Sequence, residues 1–202
     1  MPSSKFRMIH VVKLSLTEKE FNRCLYHASK CSLGGVSRVR HDRKDRSSFL
    51  GEDQVIGQVC TCAATMWLLG RTVGFDYYDM IRCRQNENPT EGDGGDDIPP
   101  LRIDVKGSKV RNTSKPVSTF RLPVRPREFH DGFIYIGALS NPPHVVLTGW
   151  GDSDFIRKFT IEDSGIFDGA HAPKVLDLQE MRDLPGHLRS ISREYWKLES
   201  SS

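Results

Sequence analysis

The longest apolar helical pattern in this chain runs from residue 49 to residue 69 and reads FLGEDQVIGQVCTCAATMWLL. Glu and Asp stand near its start, and Gly70 follows it where a C-terminal helix cap is expected. A weakly polar line at i, i+3, i+4 and i+7 crosses this otherwise apolar helix, formed by Gln58, Thr61, Cys62 and Thr65. Small residues of this kind favour close helix packing, and the alternative is that the line faces a functional site.

Short β-rich runs dominate the second half of the chain. Pro, Gly or Asn bounds each of them, at residues 101–108, 118–124, 133–139 and 144–150. Residues 72–80, TVGFDYYDM, resemble a strand or a turn, and residues 154–160, DFIRKFT, are read as an extension of the strand series. After Pro173 the pattern predicts a strand-like start followed by one or two short helices.

The first half begins with a predicted strand at residues 6–13 and a helix at about 15–31, capped by Ser15 or Thr17. Helices and strands in this order predict an α/β or α+β layered domain around a central sheet. With 202 residues the chain fits a single domain of residues 1–202. We expect an N-terminal strand-and-helix extension over about residues 1–48 and a core over about residues 49–190.

Charge is unevenly distributed along the chain. The net charge of +3 does not by itself indicate a nucleic-acid partner. Residues 38–46, RVRHDRKDR, are strongly basic, whereas residues 87–97 are strongly acidic. An acidic cluster beside basic segments suits a site that holds cations and binds a polyanion, and two solvated surfaces of opposite sign are the alternative.

The five cysteines are odd in number and form no CxxC pair, so neither a structural zinc site nor a disulfide framework is expected. Buried free thiols in a reducing compartment are the simpler interpretation. The N-terminus lacks the apolar core of a signal peptide, and no segment approaches about 18 apolar residues. We therefore expect a soluble cytoplasmic protein with no membrane partner.

The run LRIDVKGS at residues 101–108 carries an acid and a base in a strand pattern. Alternate side chains of a strand share a face, so Asp104 and Lys106 are expected to project together while Val105 points into the core. A lysine in this position can orient a water molecule and offset charge that develops on a phosphorus centre.

Asp97 lies seven residues before Asp104, across the sequence IPPLR. Pro99 and Pro100 cannot lie within a central paired strand, so a turn is expected there. If the chain folds back at this turn, Asp97 comes to lie beside Asp104. Two neighbouring carboxylates are suitable ligands for Mg²⁺ or Mn²⁺, which prefer oxygen.

An aspartate in DGGDD, a turn and a hydrophobic strand carrying IDVK together resemble the PD-(D/E)xK nuclease superfamily. This resemblance implies the restriction-endonuclease-like fold, an α/β domain with a central mixed β-sheet flanked by helices. It also implies that Asp97 and Asp104 bind the divalent metal, that the carbonyl of Val105 is a further ligand, and that Lys106 assists the attacking water. Asp97 is preferred to Asp96 because Ile98 is the apolar residue that the motif places after its aspartate.

Many members of this superfamily carry a Glu on the helix before the site, often in a Gly-Glu pair. Here Gln58 follows Gly57 instead, and Glu52 stands near the helix start. The resemblance leaves open whether Gln58 or Glu52 supplies the helix-borne residue.

The function implied by the resemblance is Mg²⁺- or Mn²⁺-dependent hydrolysis of DNA phosphodiester bonds. Residues expected to contact the nucleic acid are Ser108, Lys109, Arg111, Arg43 and Lys44. A homodimer is compatible with this function. Two alternatives stay open: a catalytically inactive nucleic-acid-binding or accessory protein of the same fold, and an interaction module whose acidic loop is a Ca²⁺-binding or plain surface loop. The absence of EF-hand spacing weighs against the last.

Overall fold

A computed structural model describes residues 10–33, 47–87, 96–99, 101–110, 117, 120–159 and 171–188. The α-helices within these ranges are α1 (Glu18–Leu33), α2 (Ser47–Leu69), α3 (Arg71–Glu87) and α4 (Ser153–Arg157). The β-strands are β1 (Val12–Ser15), β2 (Ile103–Lys109), β3 (Ile134–Asn141) and β4 (His144–Asp152). No helix in the described ranges is long and apolar enough to cross a membrane.

The strands form one mixed sheet in the order β1-β4-β3-β2. β2 runs parallel to β3, whereas β3 with β4 and β1 with β4 are antiparallel pairs. The predicted α/β class with a central mixed sheet and helices is therefore confirmed. β1 is an edge strand of this sheet, so the segment predicted as an N-terminal extension contributes to the central layer.

Helix α2 covers one face of the sheet, and α1 and α3 pack against α2. Helix α2 lies against β2, and a Cβ placed on Gly107 would come within 2.9 Å of the Cys60 sulfur. Ile103 and Val105 of β2 are buried in the same apolar core as α2. The even-numbered residues of β2 consequently project to the opposite face, because strand side chains alternate. That alternation places Asp104 and Lys106 away from the helices.

The opposite face is covered by shorter segments. Its apolar cluster consists of Leu122, Val124, Tyr135, Ile156 and Leu178. Three 3₁₀ turns contribute to this side of the molecule or to its edges, at Pro126–Glu128, Val175–Asp177 and Met181–Asp183. Among the described residues, this covering layer is therefore built from α4, 3₁₀ turns and irregular chain.

Several sequence-based predictions of secondary structure are confirmed. Helix α1 begins with a capping box, in which Thr17 N–H donates to Glu20 Oε2 at 2.6 Å and Glu20 N–H donates to Thr17 Oγ1 at 3.3 Å. Helix α2 ends at Leu69, and Gly70 follows with a φ of +86°, the left-handed conformation expected of a helix-terminating glycine. The runs predicted at 133–139 and 144–150 are β3 and β4.

The prediction of a strand or turn at residues 72–80 is wrong, because these residues lie within α3. Two further predicted strands are also wrong. Residues 120–124 form only the isolated bridges Arg121 to Lys174 and Val124 to His171. Residues 153–157 form α4, whose N-cap Asp152 accepts a hydrogen bond from Phe155 N–H at 2.8 Å. Of the strand predicted at 6–13, residues 6–9 lie outside the described ranges and β1 begins at Val12.

Candidate functional site

The chain folds back between Asp97 and β2, as the prolines predict. Asp97 N–H donates to the Ile103 carbonyl at 2.9 Å, and Ile98 forms an antiparallel bridge with Ile103. Asp97 Oδ2 accepts a hydrogen bond from Val105 N–H at 2.9 Å. Because β2 is an edge strand of the sheet, Asp97 lies beside its outer edge.

Asp96 and Asp97 have different surroundings. The carboxylate of Asp96 accepts hydrogen bonds from the backbone N–H groups of Ile98, Arg102 and Ile103, each at 3.1 Å. These three bonds close the turn, so the Asp96 carboxylate is occupied by the backbone of its own loop. Asp97 instead extends toward β2 and helix α3, where Val105 N–H and Arg82 donate hydrogen bonds to its carboxylate.

Asp104, Lys106 and Glu128 form a connected charged group on the face of the sheet. Lys106 Nζ lies 2.7 Å from Asp104 Oδ2 and 3.0 Å from Glu128 Oε2. Asp104 is only 5% exposed, and the Lys106 side chain is 18% exposed. The expectation that Asp104 and Lys106 share a face while Val105 enters the core is confirmed. Ion pairs as shielded as this are weakly screened by salt.

Burial is the largest influence on the pKa values of Asp104 and Lys106. Burial, followed by the charge of Asp97, raises the pKa of Asp104 to about 8, although Lys106 acts in the opposite direction. Burial alone would lower the pKa of Lys106, but the neighbouring charges of Asp104 and Glu128 outweigh it and the pKa is raised. Asp97 and Asp104 are thus close enough to repel, and Lys106 stays cationic.

Helix α3 supplies a partner for Asp97. Arg82 Nη2 lies 2.8 Å from Asp97 Oδ1, and the residue is buried. Each carboxylate oxygen of Asp97 therefore already accepts one hydrogen bond, from Arg82 or from Val105 N–H. A carboxylate oxygen has two acceptor positions, so one remains on each oxygen for a further ligand.

Gln58 and Glu52 lie on α2, on the helical side of the sheet. Gln58 Oε1 accepts a hydrogen bond from Tyr78 OH at 2.8 Å, which joins α2 to α3. Glu52 forms an ion pair with Lys109 at the end of β2. Neither described contact connects α2 with Asp104 and Lys106, which project from the other face.

The residues predicted to contact nucleic acid are only partly described. Ser108 and Lys109 lie at the end of β2 and are half-buried. Arg111, Arg43 and Lys44 lie outside the described residues. The weakly polar line on α2 is buried, and Thr65 Oγ1 donates to the Thr61 carbonyl at 2.8 Å, in agreement with the helix-packing interpretation.

Sequence reasoning missed two residues of the site, Glu128 and Arg82. Glu128 lies in a 3₁₀ turn that begins at Pro126, a residue type suited to the first position of a helix. Arg82 was not identified because it follows residues 72–80, which were interpreted as a strand or a turn rather than as part of a helix. Neither position lies near the Asp and Lys residues in sequence, so no local spacing identified them.

Comparisons of this chain with protein-family models, with curated proteins and with solved structures found no match.

Proposed function

We propose that this protein is a divalent-metal-dependent nuclease of the restriction-endonuclease-like type that hydrolyses DNA phosphodiester bonds. The observation that supports the proposal best is the arrangement of two acids and one base. Asp97 Oδ2 accepts a hydrogen bond from Val105 N–H at 2.9 Å, and Asp104 is the residue before Val105 on β2. Lys106 Nζ lies 2.7 Å from Asp104 Oδ2. This is the set that the PD-(D/E)xK resemblance assigns to metal binding and water activation.

The donor atoms suit Mg²⁺ or Mn²⁺. Mg²⁺ is commonly held by one or two carboxylates and keeps several waters, so Asp97 and Asp104, with the Val105 carbonyl, are an adequate set. Burial, followed by the charge of Asp97, raises the pKa of Asp104, and a bound cation would lower this pKa by stabilising the ionised carboxylate. A bound divalent ion supplies a water of lowered pKa and polarises a phosphate oxygen.

Each protein residue has a distinct task in this proposal. Lys106 is held from two sides by Asp104 and Glu128, which limits the positions of its ammonium group. An ammonium fixed in this way orients a water for in-line attack and stabilises charge that develops on the phosphate. Arg82 fixes the orientation of Asp97 through its contact with Oδ1.

The experiment is a plasmid-nicking assay in Mg²⁺ or Mn²⁺, with a chelator as the zero-metal control. Lys106→Ala and Asp104→Asn are each expected to abolish cleavage while DNA binding is largely retained. Lys13→Ala is the matched control, since Lys13 is exposed on β1 at the far edge of the sheet. An undiminished rate in Lys106→Ala would refute the mechanism.

The second candidate is a non-cleaving nucleic-acid-binding protein of the same fold. Two observations favour it: both oxygens of Asp97 already accept hydrogen bonds, and Gln58 stands where many members carry a Glu. DNA binding by the wild-type chain with no cleavage in either metal would support this candidate over the nuclease.

A further inference from the structure

A second polar cluster lies between helices α1 and α3. His27 of α1 is fully buried, and its Nε2 lies 2.7 Å from Asp79 Oδ1. Cys83 follows Asp79 by four residues on α3, so both side chains lie on the same helix face. The ligand atoms of these three residues all lie within 4.8 Å of one another.

The three donors are a nitrogen, an oxygen and a sulfur, and this combination selects a particular metal. Imidazole and thiolate are ligands of Zn²⁺, whereas Mg²⁺ and Ca²⁺ prefer oxygen alone. Ligand atoms about 2.0–2.3 Å from a tetrahedral Zn²⁺ lie about 3.5 Å apart. Small side-chain adjustments are sufficient to close the observed 4.8 Å spread to this distance.

The surroundings hold the cluster in place. Asn86 Nδ2 lies 3.0 Å from His27 Nδ1, so the ring nitrogen that faces away from Asp79 also has a polar partner. The ring of Tyr78 meets the His27 ring edge-on at 5.7 Å. A histidine that binds a metal through Nε2 carries its proton on Nδ1 and donates it, so Zn²⁺ binding requires the Asn86 amide to turn its oxygen toward His27 Nδ1.

The Arg23 side chain contacts two residues of this cluster. Its guanidinium contacts Asp79 Oδ1 through Nε, and its Nη2 lies 3.2 Å from Cys83 Sγ. The Arg23 side chain is 36% exposed, so it can move into solvent without unfolding the helices. The two groups it contacts are two of the three metal ligands.

We propose that His27, Asp79 and Cys83 form a Zn²⁺ site, with a water molecule as the fourth ligand and Arg23 as the side chain that the metal displaces. This inference goes beyond the proposed nuclease and does not depend on it, because the cluster joins α1 to α3 whereas Asp104 and Lys106 project from the opposite face of the sheet. The site would clamp the two helices together.

The test uses Co²⁺ as a spectroscopic substitute for Zn²⁺ in the full chain after removal of metal by a chelator. Besides any Co²⁺ at Asp97 and Asp104, the wild-type protein is expected to bind one Co²⁺ at this cluster, with a thiolate-to-cobalt charge-transfer band and the visible spectrum of a tetrahedral site. Addition of Zn²⁺ should then abolish both signals. Absence of the charge-transfer band at saturating Co²⁺ would overturn the proposal.

Variants identify the ligands. Cys83→Ser is expected to abolish the charge-transfer band, and Asp79→Asn to weaken Zn²⁺ binding by more than about 100-fold, beyond the 10- to 100-fold loss typical of outer partners. Asn86→Ala is expected to weaken it by about 10-fold to 100-fold. Asp76→Asn is the matched control, because Asp76 is exposed on the same helix and lies outside the cluster. Wild-type affinity in Asp79→Asn would contradict the assignment.

Arg23→Gln distinguishes a metal site from a cluster of structural hydrogen bonds. If Arg23 competes with the metal, its removal raises the fraction of binding-competent protein and tightens Zn²⁺ binding by about 10-fold or more. Circular dichroism before metal addition establishes that each variant is folded. Weaker binding in a folded Arg23→Gln protein would overturn the proposed displacement.

Discussion

Substitution of Lys106 by Met tests the electrostatics of the Asp104 site directly, because Met keeps most of the aliphatic volume and removes only the charge. In the wild-type protein, Lys106 contacts Asp104 at 2.7 Å and Glu128 at 3.0 Å. Lys106→Met removes a shielded hydrogen bond to Asp104 and a partly exposed ion pair to Glu128. We therefore expect the free energy of unfolding to decrease by about 1–3 kcal/mol at pH 7.

The same substitution should cost more at high pH. The pKa of Asp104 is raised to about 8, so its carboxyl is mostly protonated at pH 7 and mostly ionised at pH 9. Removal of Lys106 raises the pKa of Asp104 further, because Lys106 stabilises the ionised carboxylate. At pH 9 the variant therefore loses this stabilisation of the ionised Asp104. One pKa unit corresponds to about 1.4 kcal/mol, which is the expected additional loss at pH 9. Lys106 stays charged at that pH because its pKa is raised.

The assay is urea unfolding followed by circular dichroism at pH 7 and pH 9. With a slope of about 2–3 kcal/mol per molar urea, the additional loss shifts the midpoint by about 0.5 M. The Asp104→Asn background should eliminate this pH-dependent part, and Lys13→Met should not show it. An equal effect of Lys106→Met at both pH values, or the same pH dependence in the Asp104→Asn background, would refute the reasoning.

Two further predictions concern pH and helix packing. Because the pKa of Asp104 is raised from its ordinary value of 3.8 to about 8 in the folded chain, its contribution to stability is fully present below about pH 4 and is lost as the pH rises from about 4 to about 8. Asp104→Asn should therefore flatten the decline in unfolding free energy between pH 5 and pH 9, measured by urea titration. Gly74→Ala should destabilise the protein by about 1–3 kcal/mol, since the new Cβ would lie 2.5 Å from Met66 Cα, whereas Gly51→Ala in open space should stabilise it by about 0.5–1 kcal/mol in thermal unfolding.

Elements whose signals are local were predictable from sequence. Thr17 and Glu20 mark the start of α1 by a capping box, and Gly70 marks the end of α2. Strands β3 and β4 were recognisable from apolar runs bounded by turn residues. Each of these signals acts within a few residues, so no knowledge of the tertiary structure is required to interpret it.

Helix α3 was not predictable in this way, because Val, Phe and two Tyr residues give it a β-like composition. Tertiary packing determines its conformation. Gly74 allows close approach to the backbone of α2, Tyr78 OH donates to Gln58 at 2.8 Å, and Tyr77 OH donates to the Pro99 carbonyl. Reading this segment as a strand also concealed the i, i+4 spacing of Asp79 and Cys83, which brings them together only on a helix.

The candidate site likewise combines residues placed by local sequence signals with residues placed by tertiary packing. Asp97, Asp104 and Lys106 were predictable because a proline turn and strand alternation fix their relation over ten residues. Glu128 and Arg82 reach the site from remote segments, and the pairing of β2 with β3 and the packing of α3 place them there. Long-range placement of this kind depends on the whole fold and leaves no local pattern.

Stability alone gives no reason for three ionisable groups on a covered sheet face. Asp104, Lys106 and Glu128 lie beside Tyr135, where apolar side chains could complete the cluster. Replacement of buried ion pairs by apolar residues of similar volume is often neutral or stabilising. The raised pKa of Asp104 adds a cost of its own at neutral and higher pH. Metal binding would require the carboxylate of Asp104, and water activation would require the ammonium of Lys106 held by Glu128. The proposed nuclease site is therefore on this face of the sheet and not at the cluster around His27.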